Sequence, residues 1–186
     1  LDVLNIVSEQ ANIKFNVTDK LIGGCAFEKV GHPLPQDTLD ACLKSDAVLL
    51  GAVGGQKWDG LPHELKPEQA LLGLRKALGL FSNLRPAKVY NALVNASSLK
   101  PSIVGGSDVM VVRELTGGIY FSKPRGMDEL KGWNTLAYGK EEVDRIARVA
   151  CELAQKRKGQ LTSVHKANVL ESSQFWRDCV NALQPE

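Results

Sequence analysis

Val109-Met110-Val111-Val112-Arg113-Glu114-Leu115-Thr116-Gly117-Gly118-Ile119-Tyr120-Phe121 is the stretch from which the rest of the chain is read. A run of β-branched residues reads as a buried strand, and a charged pair at its end is where such strands deliver side chains into a crevice. Gly117-Gly118 permits a tight turn, because residues without Cβ take backbone angles closed to others. Arg113 and Tyr120 then emerge side by side. The fork of an arginine matches two carboxylate oxygens, and a tyrosine can give up a proton when a nearby cation lowers its pKa, so the pair suits a carboxylate substrate that exchanges a proton. A β-turn flanked by a surface arginine and a packed tyrosine accounts for the same residues.

Outward from this stretch, the chain alternates helical and strand-like segments. Leu1, Leu4, Val7 and Ala11 fall on one helix face and read as a buried stripe. Ile13, Phe15 and Val17 alternate with polar residues as in a half-exposed strand. Gly23-Gly24 reads as a turn, residues 35–44 as a helix with Asp37 early, and residues 47–51 as a short buried strand. This order predicts an α/β layer with a parallel component. Residues 54–67 form a polar, glycine-bearing loop, and Pro67-Glu68 opens a helix to Leu78 with proline in the first turn. That loop follows a strand and so sits where such sheets bind ligands, although a solvated loop explains it equally. No Gly-x-Gly-x-x-Gly is present, so a Rossmann-type dinucleotide site has no support.

On the helix that follows, Leu71 and Leu72 share a face with Arg75, an apolar wall beside a cation. Arg85 follows Leu80-Phe81 and Leu84. Either arginine alone reads as a surface ion pair. Residues 90–106 are rich in Asn, Ser and Gly and read as a crossing between domains; Pro124-Arg125-Gly126 and residues 132–135 read as an irregular arm. Residues 140–158 carry Val143, Ile146, Ala147, Ala150, Cys151 and Ala154 at helical spacing, with acids leading and bases trailing, and Gly159 stops the helix. Residues 161–164 read as a strand with Lys166 at its end, ahead of a helix that begins near Val169 or Glu171. A lysine facing several arginines would have its pKa pushed toward that of a general base; standing alone it reads as solvated.

The 186 residues allow one ordinary domain or parts of two. A net charge of +2 is too small to argue for nucleic acid. No apolar run is long enough for a bilayer and no signal peptide is visible. Cys25, Cys42, Cys151 and Cys179 lack close metal spacing and fit reduced thiols of a cytoplasmic or plastid stromal compartment.

Arg113-Glu114-Leu115-Thr116-Gly117-Gly118-Ile119-Tyr120-Phe121 resembles the signature of the 3-isopropylmalate dehydrogenases. Gly54-Gly55-Gln56-Lys57-Trp58-Asp59, Asn83-Leu84-Arg85-Pro86-Ala87-Lys88 and Lys166-Ala167-Asn168-Val169-Leu170 extend that resemblance in the same order over essentially the whole chain. Isocitrate dehydrogenases, their relatives, usually carry an Arg-Glu-Asn-Thr type of signature. The resemblance implies an α/β, isopropylmalate dehydrogenase-like two-domain fold, here incomplete at both ends. Residues 1–90 would belong to the first domain, which bears the NAD loop, and residues 91–186 to the second, which carries substrate and dimer contacts.

The resemblance further implies NAD-dependent oxidative decarboxylation of 3-isopropylmalate to 4-methyl-2-oxopentanoate by a homodimer, with Mg2+ or Mn2+. Arg75, Arg85 and Arg113 match its carboxylate-binding arginines, and Leu71, Leu72 and Val169 its isopropyl pocket. Tyr120 matches the enol-protonating residue, and Lys166 the one that helps remove the hydroxyl proton. Gly55, Gln56, Lys57, Trp58, Asp59, Gly60, Leu61, Pro62, Glu68 and Asn168 match cofactor contacts. The metal-binding aspartates of such enzymes would lie beyond residue 186. His165 stands where they commonly have Asp, and is similar at that point to isocitrate enzymes. A sister enzyme acting on isocitrate, homoisocitrate or tartrate, and a non-catalytic truncated product, are the rival expectations.

Overall fold

A computed structural model describes residues 1–183. The chain divides into two compact units, Leu1–Leu78 and Gly79–Glu186.

The first unit is helical: α1 (Asp2–Ala11), α2 (Gly24–Val30), α3 (Gln36–Lys44) and α4 (Pro67–Ala77), with 3-10 turns at Gln56–Trp58 and His63–Leu65. Its core is small, built from Ala26, Thr38, Ala70 and Leu74 with Pro33 and Pro67. Thr38 is buried without penalty because its hydroxyl donates to the Leu21 carbonyl at 2.8 Å. Pro67 occupies the first turn of α4, where a missing N–H costs no helical bond. The turn read at Gly23-Gly24 is instead the entry to α2. Gly23 holds φ at 73°, and a Cβ there would lie 2.7 Å from the Val53 carbonyl oxygen, so only glycine fits.

Three strand expectations fail, at residues 13–17, 47–51 and 161–164, none of which joins a ladder. The expected buried strand at 47–51 leaves Leu49 82 % exposed, and Phe15 and Val17 are exposed as well. Alternation of apolar and polar residues makes a strand only where a neighbouring strand accepts its backbone bonds, and no such neighbour is paired to these segments. Helix α1 forms as read, but neither it nor the preceding Leu1 is buried, so the expected buried stripe is not met among the described residues.

The second unit holds β1 (Ser82–Lys88), α5 (Pro101–Val104), β2 (Asp108–Glu114), β3 (Gly126–Met127), β4 (Gly132–Trp133), α6 (Lys140–Gln155) and α7 (Glu171–Ala182), with 3-10 turns at Asn91–Ala96 and Gly118–Tyr120. Both sheets among the described residues are two-stranded and antiparallel, β1 with β2 and β3 with β4, so the expected parallel component is absent from them. Residues 79–90 pack with this unit because β1 is laddered to β2 along its length.

The ladder follows a fixed register in which Ser82 opposes Glu114 and Lys88 opposes Asp108. Leu115 N–H donates to the Phe81 carbonyl and Val89 N–H to the Ser107 carbonyl, which marks the odd-numbered pairs as the hydrogen-bonded ones. Pro86 therefore falls on an even pair, where its missing N–H would face away from β2. Helix α6 packs on both β2 and α7. It buries Val143, Ile146 and Ala147 at the spacing of one helix face, joined in the core by Leu115 and Cys179. Gly159, at φ 68°, closes α6 by donating its N–H to the Ala154 carbonyl at 2.9 Å.

Candidate functional site

The register of β1 and β2 builds the first part of the site. Directly opposed residues of an antiparallel pair project to the same side, and positions two apart along a strand share a face. Asn83 opposes Arg113 and Arg85 opposes Val111, so Arg85 and Arg113 stand on one face of the ribbon, on adjacent strands. Asn83 Oδ1 accepts from Arg85 Nε at 2.6 Å, which fixes the direction of that guanidinium. Beyond the strand end, the Arg113 guanidinium carbon lies 5.1 Å from the centroid of the Tyr120 ring. A cation over a phenol face is attracted by the ring quadrupole and holds both groups in one orientation.

The turn between these two residues is shaped by what surrounds it. Gly118 takes φ 79°, and a Cβ there would come within 2.5 Å of the Tyr138 hydroxyl. Tyr138 is half-buried, and burial, reinforced by the Glu114 and Glu142 carboxylates against the opposing charge of Arg113, holds its phenol above the ordinary tyrosine range. Arg125 donates through Nη1 to the Tyr120 carbonyl at 2.5 Å, which pins the backbone of the 3-10 turn.

Sequence reasoning missed the group that organises this turn. Glu114 is buried, and its Oε1 accepts from the N–H groups of Thr116 at 2.9 Å and Gly117 at 3.0 Å and from the Thr116 hydroxyl at 3.0 Å. Arg145, on α6, donates to the same oxygen at 2.9 Å and to the Thr116 hydroxyl at 2.6 Å. A buried carboxylate followed by Thr-Gly was the available signal for a cap of this kind, but its cation lies 31 residues away and has no sequence mark.

Lys166 lies just before, and Val169 within, the turn that leads to α7, where the Lys166 carbonyl accepts from the N–H groups of Val169 and Leu170. Lys166, Asn168 and Val169 are exposed, and none of them is among the residues that wall the cleft beside Arg113 and Tyr120. His165 turns its Nδ1 toward the Ala167 N–H at 3.3 Å.

In the first unit, α4 buries Ala70 and Leu74 and leaves Leu71, Leu72 and Arg75 half-buried. Residues i and i+4 share a helix face, so Leu71 and Arg75 form one surface with Leu72 at its margin. The loop ahead of α4 is tethered to α2. The Trp58 ring packs against Gly24, where a Cβ would be 2.3 Å away, and Lys57 pairs with Glu28. Gly55, Gln56, Asp59, Gly60 and Pro62 remain exposed, and Leu61 is half-buried. Glu68 sets its carboxylate against Gly54, with Oε1 2.3 Å from the point a Cβ would occupy.

A divalent cation does not fit the acids among the described residues. Among the described residues no three of His, Cys, Asp and Glu converge on a point. Glu114 is taken up by Arg145 and backbone N–H groups, Asp108 is held by Arg157 at 2.7 Å, and Asp144 pairs with Lys140.

The profile of the family described as isocitrate/isopropylmalate dehydrogenase matches residues 1–186. The chain belongs to that family. It is 57 % identical over 187 residues to the 3-isopropylmalate dehydrogenase of Chlorobaculum tepidum, covering all of this chain and 53 % of that protein. It is 56 % identical over 191 residues to the enzyme of the same name from Thermosynechococcus vestitus, with the same coverage. The chain thus spans about half the length of the curated relatives it matches. Among solved structures, a β-decarboxylating dehydrogenase of Thermococcus kodakarensis superposes with a TM-score of 0.65 at 28 % identity, over 98 % of this chain and 50 % of the other. Isocitrate dehydrogenase of Methylococcus capsulatus shares the fold at a TM-score of 0.76 and 23 % identity, over 98 % and 52 %. Family membership and the α/β dehydrogenase fold expected from the sequence are therefore both met, although of the strands read only the one at 109–112 is among those described. No helix among the described residues is long and apolar enough to cross a membrane.

Proposed function

We propose that the chain is the substrate-recognising part of an NAD-dependent 3-isopropylmalate dehydrogenase of leucine biosynthesis. The observation that carries this reading is the Arg113–Tyr120 pair at 5.1 Å, within a signature that belongs to a match above 50 % identity over all of this chain and about half of the proteins of that name. Arg113 and Arg85, on one ribbon face, and Arg75 on α4 would bind the two carboxylates, and Leu71, Leu72 and Val169 would line the isopropyl pocket. Lys166 would take the hydroxyl proton. Loss of the β-carboxylate as CO2 leaves its bonding electron pair in an enol, and Tyr120 would protonate the enol carbon, held over Arg113 for that purpose. NAD, when bound, supplies the hydride acceptor; Gly55 to Pro62, Glu68 and Asn168 would hold it. The ligands of a Mg2+ or Mn2+ ion would lie beyond residue 186. Residues 1–90 and 91–186 would belong to the NAD-loop and substrate domains of a cytoplasmic or stromal homodimer that takes a small acid and neither nucleic acid nor membrane.

The test is NADH formation from 3-isopropylmalate with Mg2+, for this chain and for a version extended to the length of its relatives. Activity that appears only on extension supports the proposal. His165 favours a second reading, a sister enzyme for isocitrate, and the extended protein is to be assayed on isocitrate, homoisocitrate and tartrate with NAD and NADP in parallel. Turnover of one of these in preference to isopropylmalate overturns the substrate assignment.

A further inference from the structure

Arg113 and Glu114 are neighbours on β2, and successive strand residues project to opposite faces of the ribbon. Arg113 stands on the face of Asn83 and Arg85, and Glu114 turns to the other, where Arg145 of α6 meets it. The two ends of the Arg113–Tyr120 pair are held by different means. Arg113 lies inside the ladder opposite Asn83, so backbone bonds to β1 fix its place. Leu115 makes the last of these bonds, to the Phe81 carbonyl, and the chain then leaves the sheet. Beyond it the N–H groups of Thr116 and Gly117 both end on one side-chain oxygen, Oε1 of Glu114, at 2.9 and 3.0 Å.

That oxygen is in turn fixed by a group from another element. Arg145 Nη2 donates to it at 2.9 Å and to the Thr116 hydroxyl at 2.6 Å, while Nε reaches the second carboxylate oxygen at 3.3 Å. The same guanidinium lies over the Phe81 ring, which sets its plane as the hydrogen bonds set its direction. Ile146 and Ala147, the next residues of α6, are buried, so the arginine projects from an anchored backbone. On its far side the turn is tied by the Gly118 N–H to the Ala137 carbonyl and by Arg125 to the Tyr120 carbonyl. Arg145 supplies the near-side tie, the one that joins the turn to the strand of Arg113. Ser82 opposes Glu114 directly, yet its buried hydroxyl has no partner among the described residues and takes no part in this hold.

We infer that Arg145 is a positioning residue, which locks Glu114 and Thr116 from behind the strand and so fixes how the turn carries Tyr120 relative to Arg113. The inference rests on the role proposed for Tyr120. Because the ladder holds Arg113 independently, loosening the turn displaces the proton donor and leaves the carboxylate-binding arginine in place. Loss of Arg145 should therefore impair protonation of the enol while binding of the acid is retained. A displacement of about 1 Å, caused by a change away from the reacting atoms, is enough to cost about 100-fold in rate.

The experiment compares Arg145→Gln with the unmodified protein, both extended to the length of the relatives. Arg145→Gln should lower kcat for 3-isopropylmalate by about 10–100-fold with KM within about twofold, and should leave reduction of a 2-oxo intermediate analogue within about threefold. A role in folding alone would depress the two assays together. Thr116→Ser keeps the hydroxyl that Arg145 grips and should retain kcat, whereas Thr116→Val should lower it by about tenfold. The threonine variants leave the Glu114–Arg145 pair intact, so they decide the matter if Arg145→Gln does not fold. Ser82→Ala should change neither assay. Equal losses in the two assays, a rise in KM without a fall in kcat, or unchanged kinetics overturns the inference. Amide exchange separates it from the proposed reaction: in Arg145→Gln the Thr116 and Gly117 amides should exchange at least about tenfold faster, with that of Val111 unchanged. If the unmodified protein does not turn over isopropylmalate, the proposed reaction falls. Faster exchange at Thr116 and Gly117 then still upholds the hold of Arg145 on the turn, and unchanged exchange overturns it.

Discussion

The guanidinium of Arg145 is held between the carboxylate of Glu114, at 2.9 Å, and the ring of Phe81, whose centroid is 4.7 Å from the guanidinium carbon. It joins α6 to the end of β2 and to the residue before β1. One oxygen of Glu114 collects four donors, so the charge is compensated where water is excluded.

Glu114→Ala should therefore cost about 3 kcal/mol, the lower end of the range for breaking a buried ion pair, because Arg145 retains partial access to water. Glu114→Gln, which keeps an acceptor for Thr116 and Gly117 but not the charge, should cost about half as much. Urea midpoints measured at constant m-value check both. A loss below 0.5 kcal/mol, the scale of an ordinary surface substitution, would remove Glu114 from its organising role.

Asp108 supplies a pH-dependent contribution of known sign. Its hydrogen bond from Arg157 holds its carboxyl below the usual aspartate value of 3.8. A depressed folded-state pKa stabilises above the unfolded value, and that contribution is lost as the pH falls through the folded one. The melting temperature of the unmodified chain should thus fall more steeply below about pH 4 than that of Asp108→Asn. Parallel curves would contradict this.

At the alkaline end the sign reverses. Tyr138 has its pKa raised above 10.0, first by burial and then by Glu114. Its contribution is complete below the unfolded value and declines as the pH rises through the folded one. Tyr138→Phe should flatten the loss of stability above about pH 10, with thermal denaturation across that range as the measurement.

For recognition of the substrate, Arg113→Lys in a protein extended to full length should lower kcat/KM for 3-isopropylmalate by about 10–100-fold, since lysine cannot make the bidentate fork. Tyr120→Phe should spare reduction of a 2-oxo intermediate analogue more than turnover of isopropylmalate, because its role lies after hydride transfer. Equal losses in the two assays would count against the role given to Tyr120.

What the sequence made legible follows from how local each determinant is. Helix α6 carries its own evidence in sixteen residues of apolar spacing; it ends at Gln155, short of the expected residue 158, and Gly159, at φ 68°, closes the turn that follows. The Arg113–Tyr120 pair is legible because seven residues and a Gly-Gly turn bring it together. Strand β1 was not read because Asn83, Arg85 and Pro86 interrupt any strand-like pattern, and only the register on β2 makes Pro86 tolerable. Residues 13–17, 47–51 and 161–164 failed in the opposite sense. Their composition is strand-like, but strand formation depends on a partner that no local pattern records. Arg145 was invisible for the related reason that its carboxylate is distant in sequence.

Pro86 has a consequence for how this chain associates with others. Propagation of a β-fibre requires every added unit to offer a fresh template on its far side, and a ribbon with one open and one blunted margin does not. Pro86 thus leaves one rung missing from any ladder that another molecule could build on the outer margin of β1.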